Sequence, residues 1–143
     1  MTEYFENFYL SDDKTKILAK HAEVHALLQN AYWAKERSAS VMRDAIANSL
    51  NYAVFETSSD RLVGYARVVT DYATVFYLCD VFVDEEFRSR GIGKKLIEHI
   101  LLHEEILSGV NGLLKTGDAK SLYEKYGFEE CKSICMVKKG SPN

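Results

Sequence analysis

A chain of 143 residues with 47% hydrophobic and 27% charged side chains suits one compact domain over 1–143, of ordinary soluble composition. A net charge of −3 and a pI near 5.8 exclude a general basic field for nucleic acid. No apolar run approaches the roughly 20 residues of a membrane span. The acidic, aromatic start Thr2-Glu-Tyr-Phe-Glu-Asn-Phe8 is unlike a signal peptide.

In chain order, Tyr4–Leu10 alternates like a first strand, and Lys14–Ala31 carries Ile17, Val24, Leu28 and Ala31 at helical spacing. Ser38 is the expected N-cap of a second helix reaching about Leu50, with Met42, Ile46 and Leu50 on one face. Tyr52–Thr57 and Arg61–Thr70 form a hairpin around Ser58-Ser-Asp60, and Asp71-Tyr-Ala73 turns the chain into a long strand, Thr74–Val83. A helix is expected from about Gly91 to Leu107. Then come a short strand Gly112–Thr116, a short helix Ala119–Tyr126 and a final strand Phe128–Lys138. An antiparallel meander followed by strand–helix–strand–helix–strand predicts a mixed α/β sheet in a single domain.

The three cysteines, Cys79, Cys131 and Cys135, make an odd count, which points to reduced thiols and a cytoplasmic setting. Cys131 and Cys135 lack the two-residue gap of a zinc pair. His21/His25 and His99/His103 each share a helix face, but neither pair has the His-Glu-x-x-His order of zinc hydrolases. They are expected to be boundary histidines, with His25 the one that could reach a cleft. No metal is expected.

The segment Asp80–Ile97 carries most of the functional information. A buried strand runs into an Arg-flanked glycine loop that opens a helix, and helix N-terminal N–H groups bind phosphate. Gly91 and Gly93 allow close backbone approach, while Arg88, Arg90, Lys94 and Lys95 add positive charge. A dinucleotide fingerprint would need Gly or Ala where Leu96 stands, and a P-loop would need Gly-Lys-Ser/Thr. The order Arg88-Ser-Arg-Gly91-Ile-Gly93 instead resembles the Gln/Arg-x-x-Gly-x-Gly/Ala signature of the GNAT acyl-CoA-dependent N-acetyltransferases. Ala119-Lys-Ser-Leu-Tyr123-Glu-Lys-Tyr-Gly127-Phe128 resembles that family's last helix and Gly-Phe turn, so the likeness runs from about Tyr52 to Val137.

The resemblance implies a GNAT-like mixed, mostly antiparallel sheet with a splayed central parallel strand pair, flanked by helices. It implies acetyl-CoA as co-substrate, with Val81, Phe82 and Val83 along the pantetheine arm and Arg88, Ser89, Arg90, Gly91, Ile92, Gly93 and Lys94 around the pyrophosphate. Tyr123 would be the general acid at the thioester sulfur, and a backbone N–H near Phe82 would serve the oxyanion. Two adjacent acidic residues precede the apolar triplet in polyamine-type relatives. Here Cys79 takes the first place and Asp80 alone remains, as base, amine anchor or buried structural carboxylate. Strand alternation would turn Cys79 and Asp80 to opposite faces unless a bulge intervenes. Tyr32, Trp33, Asp71 and Tyr72 border the acceptor side, where aromatic faces and carboxylates would suit a cationic amine. The same aromatics also suit packing of helices on the sheet.

Residues Ala31–Trp33 and Val68–Thr74 also resemble a bacterial branch of the family, which names the reaction and leaves the acceptor amine open. The expected activity is transfer of an acetyl group to a primary amine of a small molecule or peptide. The alternative is a catalytically weak acyl-CoA-binding sensor on the same fold. Pairing as a homodimer is expected by family analogy alone.

Overall fold

A computed structural model describes residues 1–132 and 134–140, with the backbone alone at His103 and Ile106. A six-stranded sheet runs in sequential order through β1 (Thr2–Phe5), β2 (Phe8–Ser11), β3 (Leu50–Glu56), β4 (Leu62–Thr70), β5 (Val75–Val83) and β6 (Asn111–Leu114). Neighbours from β1 to β5 are antiparallel, whereas β6 joins β5 in parallel. A parallel neighbour requires a crossover, which contains α4 (Ile92–Glu98). The sheet is therefore the mixed, mostly antiparallel one expected.

Alternating apolar side chains build a core on each face. From β3, Tyr52 and Val54 pack with Ile92, Leu96, Ile97 and Ile100, while Ala53 and Phe55 pack with Ile17, Leu28, Met42 and Ile46. The second set comes from α1 (Lys14–Ala19), α2 (His21–Leu28) and α3 (Ala39–Ala47). Each fully buried aliphatic side chain contributes about 1.5–3 kcal/mol of burial free energy. Gly64 of β4 sets how closely α4 approaches, since a Cβ there would lie 2.8 Å from Ile92 Cγ2. A short helix, α5 (Lys120–Glu124), adds Tyr123 to the same core as Ile92, Leu96 and Ile97 of α4.

Several boundaries depart from expectation for identifiable reasons. The single strand over Tyr4–Leu10 is a hairpin, β1–β2, folded at Glu6 with φ 49°. The expected helix Lys14–Ala31 is two helices meeting at Lys20, whose ammonium pairs with Asp60 at 3.0 Å and lies 5.0 Å from the centre of the Phe55 ring. Ile17, Val24 and Leu28 keep helical spacing across that junction, so periodicity cannot detect it. Ser38 caps α3 as expected, its Oγ accepting from Val41 N–H at 3.2 Å, but Leu50 already belongs to β3.

The helix expected to Leu107 widens after Glu98 into a π-helical turn, His99–His103, followed by a 3-10 turn, Glu105–Leu107. His99 is buried with Nδ1 3.2 Å from Glu3 Oε2, so it is an interior histidine rather than a boundary one. Its ring shares a small region with Asp12 and Glu104, and Tyr52 O–H donates to Glu104 at 3.0 Å. The side chain of His103 lies outside the described residues.

The expected final strand Phe128–Lys138 is not formed in its described residues; Ser133 lies outside them. Phe128 packs against Phe76 and Tyr123, but Ile134, Met136 and Val137 are exposed, Met136 by 96%. Alternation gives a segment strand character only when a partner edge receives its backbone.

Candidate functional site

The site begins where two strands part. β5 and β6 pair from Val75/Asn111 to Leu78/Leu114; β6 then ends while β5 continues to Val83. The gap is a cleft of about 550 Å³ whose walls include Cys79, Asp80 and Val81 on one side and Lys115, Asp118 and Tyr123 on the other. A second space of about 710 Å³ lies along Val81, Phe82 and Val83 and the glycine loop. Tyr32, Trp33, Val81, Asp118 and Ala119 line both, which makes them two ends of one cleft.

Along the free stretch of β5, Asp84 N–H donates to Val63 O of β4 at 2.8 Å. Strand alternation then turns the N–H and C=O of Phe82 toward β4 and those of Val81 and Val83 toward the cleft. The Val83 carbonyl accepts there from Arg88 Nε at 3.3 Å. Val81 and Val83 thus present main-chain groups where an extended ligand arm would pair. The backbone donor nearest Phe82 that faces the cleft belongs to a neighbouring valine.

The glycine loop bends through positive φ at Ser89 (65°) and Gly91 (79°), which turns successive N–H groups toward a common concavity. Gly91 is the N-cap of α4, in a conformation that other residues adopt with difficulty. Arg88, Ser89, Gly91, Ile92, Gly93 and Lys94 line the cleft as expected. Arg90 does not; its guanidinium lies 5.3 Å from the centre of the Phe87 ring.

A bulge organises the other end. Tyr65 pairs with Phe82 and Arg67 with Cys79, so Ala66 alone faces both Asp80 and Val81, and Asp80 has φ 54°. The bulge resets the alternation: Phe76, Leu78, Val81 and Val83 pack into one core, and Phe82 into the other. Cys79 and Asp80 therefore both reach the same cleft.

Asp80, with its side chain 1% exposed, is heavily bonded. Trp33 Nε1–H donates to Oδ1 at 3.0 Å, while Arg37 Nη1 and Arg67 Nε donate to Oδ2 at 2.8 and 2.9 Å. Burial raises its pKa, but the hydrogen bond from Arg37 and the charges of Arg67 and Arg37 outweigh it and hold the carboxyl below its ordinary value. Such a carboxylate is a weak base. Arg67 Nη1 also donates to Ser49 Oγ at 3.0 Å. Arg37 is positioned through its backbone: His25 Nε2 lies 2.8 Å from its carbonyl oxygen, and Gln29 Nε2 donates to that oxygen at 3.3 Å. His25 thus acts behind the cleft rather than in it.

Tyr123 is 9% exposed and lines the cleft; burial and the nearby Asp118 raise its pKa and keep the phenol protonated. Burial pushes the Cys79 thiol up to about 11, against the lowering effect of Arg67. Trp33 stacks edge-on with Tyr32 and Phe82 at 5.1 and 6.1 Å, so the aromatic pair is both packed and cleft-facing.

Asp71 and Tyr72 stand apart from both ends of the cleft. The Asp71 carboxylate closes its own turn, accepting from Ala73, Thr74 and Val75 N–H at 2.9, 2.8 and 3.2 Å. Arg37 and Arg67 are the site residues that the sequence reading passed over. An arginine inside the apolar run Val63–Val69 was the available signal, because a buried charge requires a partner.

A family model for the acetyltransferase (GNAT) domain matches residues 48–130, more than half of the chain. The uncharacterized N-acetyltransferase ycf52 of Pyropia yezoensis is 28% identical over 129 residues, covering 87% of this chain and 71% of that protein. The ribosomal protein bS18 alanine N-acetyltransferase of Salmonella typhimurium is 36% identical over 80 residues, 52% of each chain. A Xanthomonas campestris structure assigned to the GNAT acetyltransferases superposes with a TM-score of 0.83 at 34% identity, covering 96% of both chains. With the splayed strand pair, the glycine loop and the match over 48–130, this chain belongs to the GNAT acetyltransferases.

Proposed function

We propose that this acetyltransferase moves the acetyl group of acetyl-CoA directly onto a primary amine held in the cleft of about 550 Å³. The observation that carries this reading is the single cleft that joins the glycine loop at one end to Tyr123 at the other across the free edge of β5. Acetyl-CoA would supply the thioester carbonyl that the amine attacks. The N–H groups of the Arg88–Lys94 loop fit its pyrophosphate, because positive φ at Ser89 and Gly91 gathers them into one concavity. The outward main-chain groups of Val81 and Val83 fit its amide-bearing arm.

The remaining roles follow from position. Val81 N–H, at the junction of the two ends, faces the oxygen on which negative charge develops. Tyr123 O–H donates a proton to the departing sulfur; its raised pKa keeps that proton available throughout the neutral range. Asp80 anchors Arg37 and Arg67, which with Trp33 occupy three of its acceptor positions and hold it ionised at a lowered pKa, so it is a weak base and proton removal from the attacking amine falls to water in the cleft. The weak basicity of Asp80 and the thiol at Cys79 also favour a second reading, a slow enzyme that works mainly as an acyl-CoA-binding module.

Thiol release from acetyl-CoA across an amine panel, recorded beside acetyl-CoA binding, separates the two. Release stimulated by one amine class, reduced about a hundredfold in Tyr123→Phe with CoA affinity intact, supports the enzyme. Tight binding without amine-stimulated release supports the module. Arg88→Ala should weaken CoA binding under either reading, and unchanged binding would remove the loop from it.

A further inference from the structure

Given the transfer reading above, the charges of the cleft specify its acceptor. We propose that the amine accepted here carries an oxyanion, a carboxylate or a phosphate ester, received by Arg37 and Arg67. Both guanidinium groups converge on one oxygen, Asp80 Oδ2, at 2.8 and 2.9 Å. One carboxylate held between two fixed cations leaves a positive charge uncompensated. The opposite wall adds one charge of each sign, Lys115 and Asp118, so the net excess of the cleft is the one at the arginines.

The arginines also keep free donors. Arg37 uses Nη1 toward Asp80, and Arg67 uses Nε and Nη1 toward Asp80 and Ser49. Neither Nη2 has a partner among the described residues. No buried side-chain nitrogen or oxygen among them lacks one, so these donors are accessible to solvent, and the cleft is the cavity beside them. The side chains are 20% and 14% exposed, and both residues line it. A planar guanidinium with its remaining donors directed outward matches an oxyanion, and Asp80 fixes both groups before any ligand arrives. The cationic acceptor expected from Asp71 and Asp80 loses its basis: the first carboxylate closes a turn and the second is neutralised. Asp118, across the cleft beside Tyr123, remains to face the amine end.

Trp33 provides the readout, because it is the sole tryptophan and its indole donates to the same Asp80. In protein saturated with CoA, whose phosphates then fill the glycine loop, Trp33 fluorescence is titrated at constant ionic strength. The probes are N-acetylglycinate, its neutral isostere N-acetylglycinamide, and inorganic phosphate. The expected result is saturable binding of an anion at least tenfold tighter than of the amide, and the tighter of carboxylate and phosphate names the group. Arg37→Gln should weaken anion binding tenfold or more while CoA affinity, which also reports folding, stays unchanged; Arg37→Lys should restore part of it. Equal affinity for anion and amide, or full anion binding in Arg37→Gln, overturns the proposal.

If Arg37→Gln fails to fold, the wild-type comparison and Arg37→Lys still decide. The titration involves no turnover. Anion binding without acetylation of any amine would overturn the transfer reading and leave the subsite. Equal acetylation of neutral amines and their carboxylate-bearing counterparts would overturn the subsite and leave the transfer.

Discussion

Cys79 occupies the place where an acidic residue was expected, and its surroundings decide what a thiol can do there. Burial lifts its pKa to about 11 even with Arg67 across the strand pair. The thiolate is the reactive form, so Cys79 is a poor nucleophile at neutral pH in spite of its place in the cleft. Cys131 and Cys135 are exposed. A thiol-titrating reagent at pH 8 should therefore consume two thiols quickly and the third roughly a hundredfold more slowly, in line with its smaller thiolate fraction. Three thiols reacting at one rate would contradict the burial that raises Cys79. The same position shows why residue type alone misleads: Cys79 and Asp80 are neighbours on a strand, and only the bulge at Asp80 brings both to one side.

Among the elements, α4 and β4 are coupled through Gly64. The first turn of α4 rests where a Cβ on Gly64 would meet Ile92 Cγ2 at 2.8 Å, and Ile92 is also the first residue of the helix that closes the glycine loop. Gly64→Ala should destabilise the protein by about 1–3 kcal/mol through overpacking, measured as a lower denaturation midpoint. Because the displaced residue is part of the loop, CoA affinity should fall as well. Lost stability with CoA affinity unchanged would show that the loop does not depend on this contact. Capping at α3 was legible in the sequence because Ser38 acts within its own turn. The break at Lys20 was not, because the partner of Lys20, Asp60, lies 40 residues away on the β3–β4 turn.

Across the whole molecule, Asp80 ties together β5, β4 and the connection between α2 and α3, through Arg67, Arg37 and Trp33. Its folded-state pKa lies below the ordinary carboxylate value. The unfolded state therefore takes up the proton first, and the stability contributed by the ionised form is present above about pH 4 and lost as pH falls through the folded value. Urea midpoints should fall steeply below about pH 4 in the wild type. Asp80→Asn should start lower, because two arginines lose their counter-charge, and should fall less steeply over the same interval. Parallel slopes in the two proteins would show that Asp80 does not titrate in this window.

Sequence patterns specified the sheet-forming alternation, the phosphate-type loop and the Tyr123 helix, each carried by residues close together in the chain. Helix capping, glycine turns and periodicity act over a few residues, so one sequence suffices to see them. The acceptor end of the cleft has a different origin. Arg37 meets Asp80 across 43 residues and Arg67 meets it across 13, and both meetings depend on a one-residue shift in strand register. The final segment tells the same story in reverse: its alternation was visible, but no strand forms in the described residues because alternation cannot supply a partner edge. Charge pairing and strand pairing are long-range choices among many available partners, and folding selects among them by burial.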